Sequence, residues 1–119
     1  EIKNDRNKTE LKKFSKILEH NLNLLLEFTN WLEGKNKNKK DDVSSACNDF
    51  LKVLGYISLG YSWFKTTKVS LEKLSENKNF YEEKINTAKY FFDKIIPRVE
   101  SHYNSAKTGS DNIMNAKFN

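Results

Sequence analysis

Ala46 to Phe64 reads A-C-N-D-F-L-K-V-L-G-Y-I-S-L-G-Y-S-W-F, and no other run of this length in the chain is so apolar or sets two glycines among so many aromatics. At about 100° per residue, Val43, Cys47, Phe50, Leu54, Ile57, Tyr61 and Phe64 fall on one side of a helix, with the i, i+3, i+4, i+7 spacing of a core-facing element. From Tyr56 onward a second side appears, because Tyr56, Leu59 and Trp63 repeat that spacing roughly opposite the first. A helix apolar on two sides needs cover on two sides. Gly55 and Gly60 each cost about 1 kcal/mol relative to alanine inside a helix, so both predict the close approach of a neighbouring backbone or ring. The plainer reading of the stretch is the central helix of a bundle. The sharper reading makes Tyr56, Leu59 and Trp63 a docking face for another domain or subunit.

On the N-terminal side, Asn4, Asp5 and Thr9 are N-cap residue types ahead of a first helix expected to run to Glu33. Its inward face is Leu11, Phe14, Leu18, Leu22, Leu25, Phe28 and Leu32, while Lys12, Lys16, Glu19, Asn23 and Glu27 point out. Gly34 is placed to end this helix in a left-handed conformation, and the Lys/Asn run 35–40 reads as a loop. Asp41 and Asp42 supply a cap and first-turn negative charge for the central helix, which should continue to about Ser75. Residues 76–79 form the next turn, with Asn77 or Asn79 as cap. A third helix comes next, with Tyr81, Ile85, Ala88, Phe92, Ile95, Val99 and Tyr103 on one face, bent at Pro97 and capped at Gly109. A short fourth helix around Ile113 and Met114 completes an all-α, up-down-up bundle of three long helices.

Composition agrees. The 119 residues suit one domain, and 37% hydrophobic with 31% charged residues, four glycines and one proline fit helices better than a turn-rich sandwich or barrel. No apolar run reaches membrane-spanning length and no leader pattern is present, so a soluble, cytoplasmic protein without a membrane partner is expected. The chain opens on Glu1 without a methionine, which reads as part of a longer protein. Its net charge of +5 comes almost wholly from lysine, with Arg6 and Arg98 the only arginines. Lysines spread over polar helix faces solvate them, whereas reading phosphate and bases favours arginine, so no nucleic-acid partner is expected. The one cluster, Lys35, Lys37, Lys39 and Lys40, leaves contact with nucleic acid or a phosphate-bearing ligand as the alternative.

Catalysis needs convergent polar groups, and few are present. Cys47 lies on the apolar face and reads as a small core residue. His20 falls on a polar face and His102 at the edge of the third helix's apolar face, both structural positions. Neighbours such as Glu82 and Glu83, or Asp41 and Asp42, point to different sides of a helix. Lys84 reads as a stem laid over apolar surface. No residue set has metal-ligand spacing and no glycine-rich loop opens a helix, so no catalytic, cofactor-binding or metal residue is assigned. By residue chemistry the chain is a helical bundle with an interaction role.

Asn48 to Lys65, with Phe80-Tyr81, Lys84 and T-A-K-Y-F-F-D-K-I-I-P-R (Thr87 to Arg98), resembles the C-terminal domain appended to the longer acyl-CoA dehydrogenases, the subfamily similar to 3-methylmercaptopropionyl-CoA dehydrogenase. The matching positions are Phe50-Leu51, Gly55, Gly60-Tyr61-Ser62-Trp63, Lys84, Ala88, Tyr90-Phe91, Ile96-Pro97 and Gly109, within residues 46–114. Lys89 stands where those domains carry arginine, and Phe64-Lys65-Thr66 replaces a more apolar segment. The resemblance implies an FAD-dependent enzyme that removes hydrogens across the Cα–Cβ bond of an acyl-CoA thioester, in fatty acid metabolism. It also implies that the catalytic glutamate and FAD site lie in preceding domains, so no catalytic residue is carried over. The expected partners are that dehydrogenase core and a second subunit. A free-standing helical interaction module is the alternative. The Lys/Asn-rich composition is compatible with an AT-rich bacterial genome.

Overall fold

Leucine, lysine and glutamate, all good helix formers, crowd the first third of the chain, and α1 (Ile2–Asn38) is one unbroken helix in the computed structural model, which describes residues 2–38 and 40–108. Both expected ends of this helix are passed. Thr9 lies inside it, and so does Gly34, whose backbone is not left-handed and beside which a Cβ would meet nothing within 4 Å. One glycine costs a helix of this length too little to stop it. The loop expected over 35–40 is therefore helical to Asn38, and α2 (Lys40–Glu72) begins two residues later, with Asp41 and Asp42 in its first turn. Residue 39, the side chains of 35–40, Gly109 and the short helix expected around Ile113 lie outside the described residues.

The buried stripe of α2 keeps the expected period but is turned by about one residue. Ala46, Val53, Ile57, Gly60, Thr67 and Ser70 are buried, whereas Cys47, Leu54 and Tyr61 are exposed. Small side chains hold the centre because α2 packs against α1 on one side and the third rod on the other, and only short residues let both backbones approach. Cys47 is accordingly a surface thiol, its Sγ donating to the Val43 carbonyl at 3.2 Å, and not the core residue expected. At Gly60 a Cβ would lie 2.9 Å from Leu18 Cδ2, 3.2 Å from Ile96 Cδ1 and 3.4 Å from Phe91 Cε1, the close approach its presence predicts. Gly55 has no such neighbour. Gly55→Ala should therefore stabilise the fold by about 0.5–1 kcal/mol, read as a higher urea midpoint at unchanged slope.

After a turn at residues 73–77, the Asn77 side chain accepts from the Phe80 N–H at 3.3 Å and caps α3 (Lys78–Tyr90). The chain then widens into a π-helical turn (Phe91–Ile95), in which Ile96 N–H donates to the Phe91 carbonyl, and tightens into an i→i+3 bond from Val99 N–H to the Ile96 carbonyl before α4 (Arg98–Ala106). Pro97 explains the irregularity, since it has no N–H to give and its ring crowds the carbonyl one turn back. This bent rod runs antiparallel to α2. Ile85, Ala88, Phe92, Val99 and Tyr103 are buried as the period predicts, joined by Phe91, Ile96 and Ala106.

Aromatic contacts join the three rods. Phe14 of α1 stacks on Phe92 at 4.2 Å between centroids, and Phe28 of α1 meets Phe50 of α2 at 5.1 Å and Tyr103 of α4 at 5.2 Å. Glu10 and Lys89 pair at 3.7 Å across the exposed edge of the α1–α3 seam. Buried polar side chains on the helices satisfy themselves locally, as Asn21 does by donating to the Ile17 carbonyl and Thr67 by donating to that of Trp63. Among the described residues no strand is present, and the fold is an all-α bundle of three helical rods, the last bent and built from short pieces.

Candidate docking surface

Three columns of seven-residue spacing run along α2. The middle column, Ala46, Val53, Gly60 and Thr67, is buried. A second column, Asp49, Tyr56, Trp63 and Ser70, faces the third rod: Tyr56 stacks on His102 of α4 at 5.8 Å, and Trp63 packs half-buried against the core. Of the second apolar side read from the sequence, Tyr56 meets the third rod at His102 and Trp63 is half-buried against the core. Leu59 stands on the outer ridge of α2 with 51% of its surface exposed.

His102 is more than an edge residue. Its Nδ1 lies 2.8 Å from Asp49 Oδ1, a half-buried link between α2 and α4 spanning 53 residues of sequence. With the ring held by Asp49 on one nitrogen and Tyr56 on its face, the three side chains fix the rotation of α4 against α2. Asp49→Ala should cost about 1 kcal/mol of stability in a urea titration, the usual net worth of one such hydrogen bond. His20, in contrast, is exposed on α1 as expected. Lys84 lies with its Nζ 5.3 Å from the Phe80 ring centroid, its stem along the helix surface.

The third column of α2, Cys47, Leu54 and Tyr61, faces away from the third rod. Here the sequence reading of α1 also needs correcting, because Leu22, placed on the inward face, is 47% exposed, while Asn21 is buried beside it. The third rod fills only one side of the α1/α2 pair, and the molecule is 18 Å across its thinnest dimension, about two helix layers. On the open side Leu18, Leu22 and Leu25 of α1 and Leu54, Ile57 and Tyr61 of α2 border a depression of about 590 Å³ with Ser58 and Ser62 on its rim. Toward the start of α1 a second depression of about 530 Å³ is lined by Lys8, Thr9, Leu11, Lys12, Ser15 and Phe64. Lys65 lays its Nζ 4.6 Å over the Tyr61 ring. Leu22 and Leu54 belong to the apolar stripes read from the sequence, whereas Leu26 and Leu51 lie outside those stripes and are exposed.

Among the described residues no group of three His, Cys, Asp or Glu side chains converges to hold a metal ion, and no helix is long and apolar enough to cross a membrane. The arrangement offers apolar contact and positive charge, the chemistry of association. Comparisons with curated proteins and with solved structures returned no match. The family described as Acetyl-CoA dehydrogenase C-terminal like matches residues 1–117, taking in the first helix as well as the aromatic stretch, and the chain belongs to that family.

Proposed function

We propose that this chain is the accessory C-terminal helical domain of an FAD-dependent acyl-CoA dehydrogenase, packing against a catalytic core that removes hydrogens across the Cα–Cβ bond of an acyl-CoA thioester. The observation that carries the reading is the family match over nearly the whole chain. FAD belongs to the core: the depressions on this chain are bordered by leucines and lysines, with no glycine-rich turn opening a helix to cradle a pyrophosphate. The role of this chain is to bury apolar surface against the core and a second subunit, with Leu59 and the uncovered edge of Trp63 contributing at the outer ridge of α2 while Tyr56 stays held by His102.

The test is association with a flavin-loaded acyl-CoA dehydrogenase core encoded in the same reading frame or beside it. Co-elution of the chain with flavin absorbance in size-exclusion chromatography is expected. Separate elution at micromolar concentrations overturns the reading.

A further inference from the structure

The α3–α4 rod shows what the α1/α2 pair accepts: one helix laid along the groove between two antiparallel helices. The opposite groove of the same pair is also bordered by leucines, yet no described residue covers it. Leu22 and Tyr61, which line it, are 47% and 54% exposed. The α1 residues that line the two depressions run from Leu25 back to Lys8, eighteen residues or about 27 Å of helix. Charge is unevenly placed along this length. The described residues bordering the depressions include Lys8 and Lys12 at one end and no carboxylate, and Lys65 lies over Tyr61.

We infer that this groove is the docking site for one amphipathic helix of a partner protein. That helix is about eighteen residues long, with apolar side chains at i, i+3 or i+4, and i+7, and carboxylates at the end that lies over Lys8 and Lys12. Shape, length and apolar lining select a helix, seated as a fourth member of the bundle. The lysine end selects its orientation and its charge. The inference rests on the reading that this domain packs against a core, and adds this face to the outer ridge of α2 in that packing.

The test uses the full 119-residue chain and three synthetic eighteen-residue helices: one with a leucine stripe and glutamates in its last turn, a twin with lysines replacing the glutamates, and one with its leucines changed to serine. In fluorescence anisotropy the acidic-ended peptide should bind about tenfold tighter than the basic-ended twin, and less tightly as salt rises. The serine peptide should not bind. Leu22→Glu or Tyr61→Glu should weaken binding by about thirtyfold. Lys8→Glu with Lys12→Glu should reverse the preference between the twins. Tyr90→Glu, on the exposed face of α3, should change nothing, and circular dichroism of each variant should match wild type because every altered side chain lies at the surface.

Equal affinity for the twins, or binding insensitive to Leu22→Glu, overturns the inference. Saturable palmitate binding without peptide binding assigns the groove to an acyl ligand instead, and self-association abolished by Leu22→Glu assigns it to a second copy of the chain. A flavin-loaded core that binds wild type and Leu22→Glu alike overturns the groove assignment and leaves the accessory-domain reading standing. A core that ignores a chain still binding the acidic peptide does the reverse.

Discussion

Phe28→Ala is expected to remove about 3–5 kcal/mol of stability, a large share of what a domain of this size possesses. Phe28 has no exposed surface, and its ring sits where three helices meet, 6.2 Å from Trp31 of its own helix, 5.1 Å from Phe50 of α2 and 5.2 Å from Tyr103 of α4. Truncation leaves a hole that none of the three neighbours can fill without leaving its own seat, so the cavity term adds to the lost transfer energy. Phe28→Leu, which keeps most of the volume, should cost about 1.5 kcal/mol or less. A urea titration followed by far-ultraviolet circular dichroism measures both. A loss below about 1.5 kcal/mol for the alanine variant would mean that this end of the bundle is not packed as described.

Gly60→Val should be the most damaging change on α2, at about 1–3 kcal/mol. The glycine lies under side-chain ends from two elements, with room for a Cβ only if Leu18 and Ile96 both yield. Those ends are flexible, so Gly60→Ala combines their small displacement with a gain in helix propensity and should lie near neutrality. A valine adds two methyl groups to the same space and gains little propensity in return. Measured beside Gly55→Ala, the two variants separate backbone preference from crowding, since both glycines are mid-helix and only Gly60 is enclosed. A Gly60→Val variant as stable as wild type would show that the three rods can move apart at this crossing.

The sequence was most legible where one face meets one neighbour. Of the third rod's expected positions, Ile85, Ala88, Phe92, Val99 and Tyr103 are buried and Tyr81 and Ile95 half-buried, and Asn77 caps its start. On α2 the period was legible and the phase was not. Ranking by side-chain size selects Cys47, Leu54 and Tyr61, yet a helix wedged between two others turns its smallest residues inward, and Ala46, Val53 and Gly60 take those places. Gly60 announced close packing through its cost to the helix, but Gly55 carried the same signal without the neighbour. Gly34 and Thr9 misled because capping preferences are weak beside the propensity of a long run of good helix formers. The link between Asp49 and His102 depends on the alignment of two rods, which no local pattern encodes. The leucine depression across α1 and α2 needed the position of the third rod to be seen.

The widened turn before Pro97 bears on how the molecule breathes. Across residues 91–97 the hydrogen bonds change from the i→i+5 step of Ile96 to Phe91 to the i→i+3 step of Val99 to Ile96, so the joint between the two segments is expected to open more readily than either. The protection of α4 against solvent exchange then reports its own anchorage, through Val99, Tyr103 and the His102 link, and not its covalent continuation from α3. A substitution in α3 that loosens Ile85 or Ala88 should speed exchange in that helix alone, making the third rod two cooperative units joined by one proline.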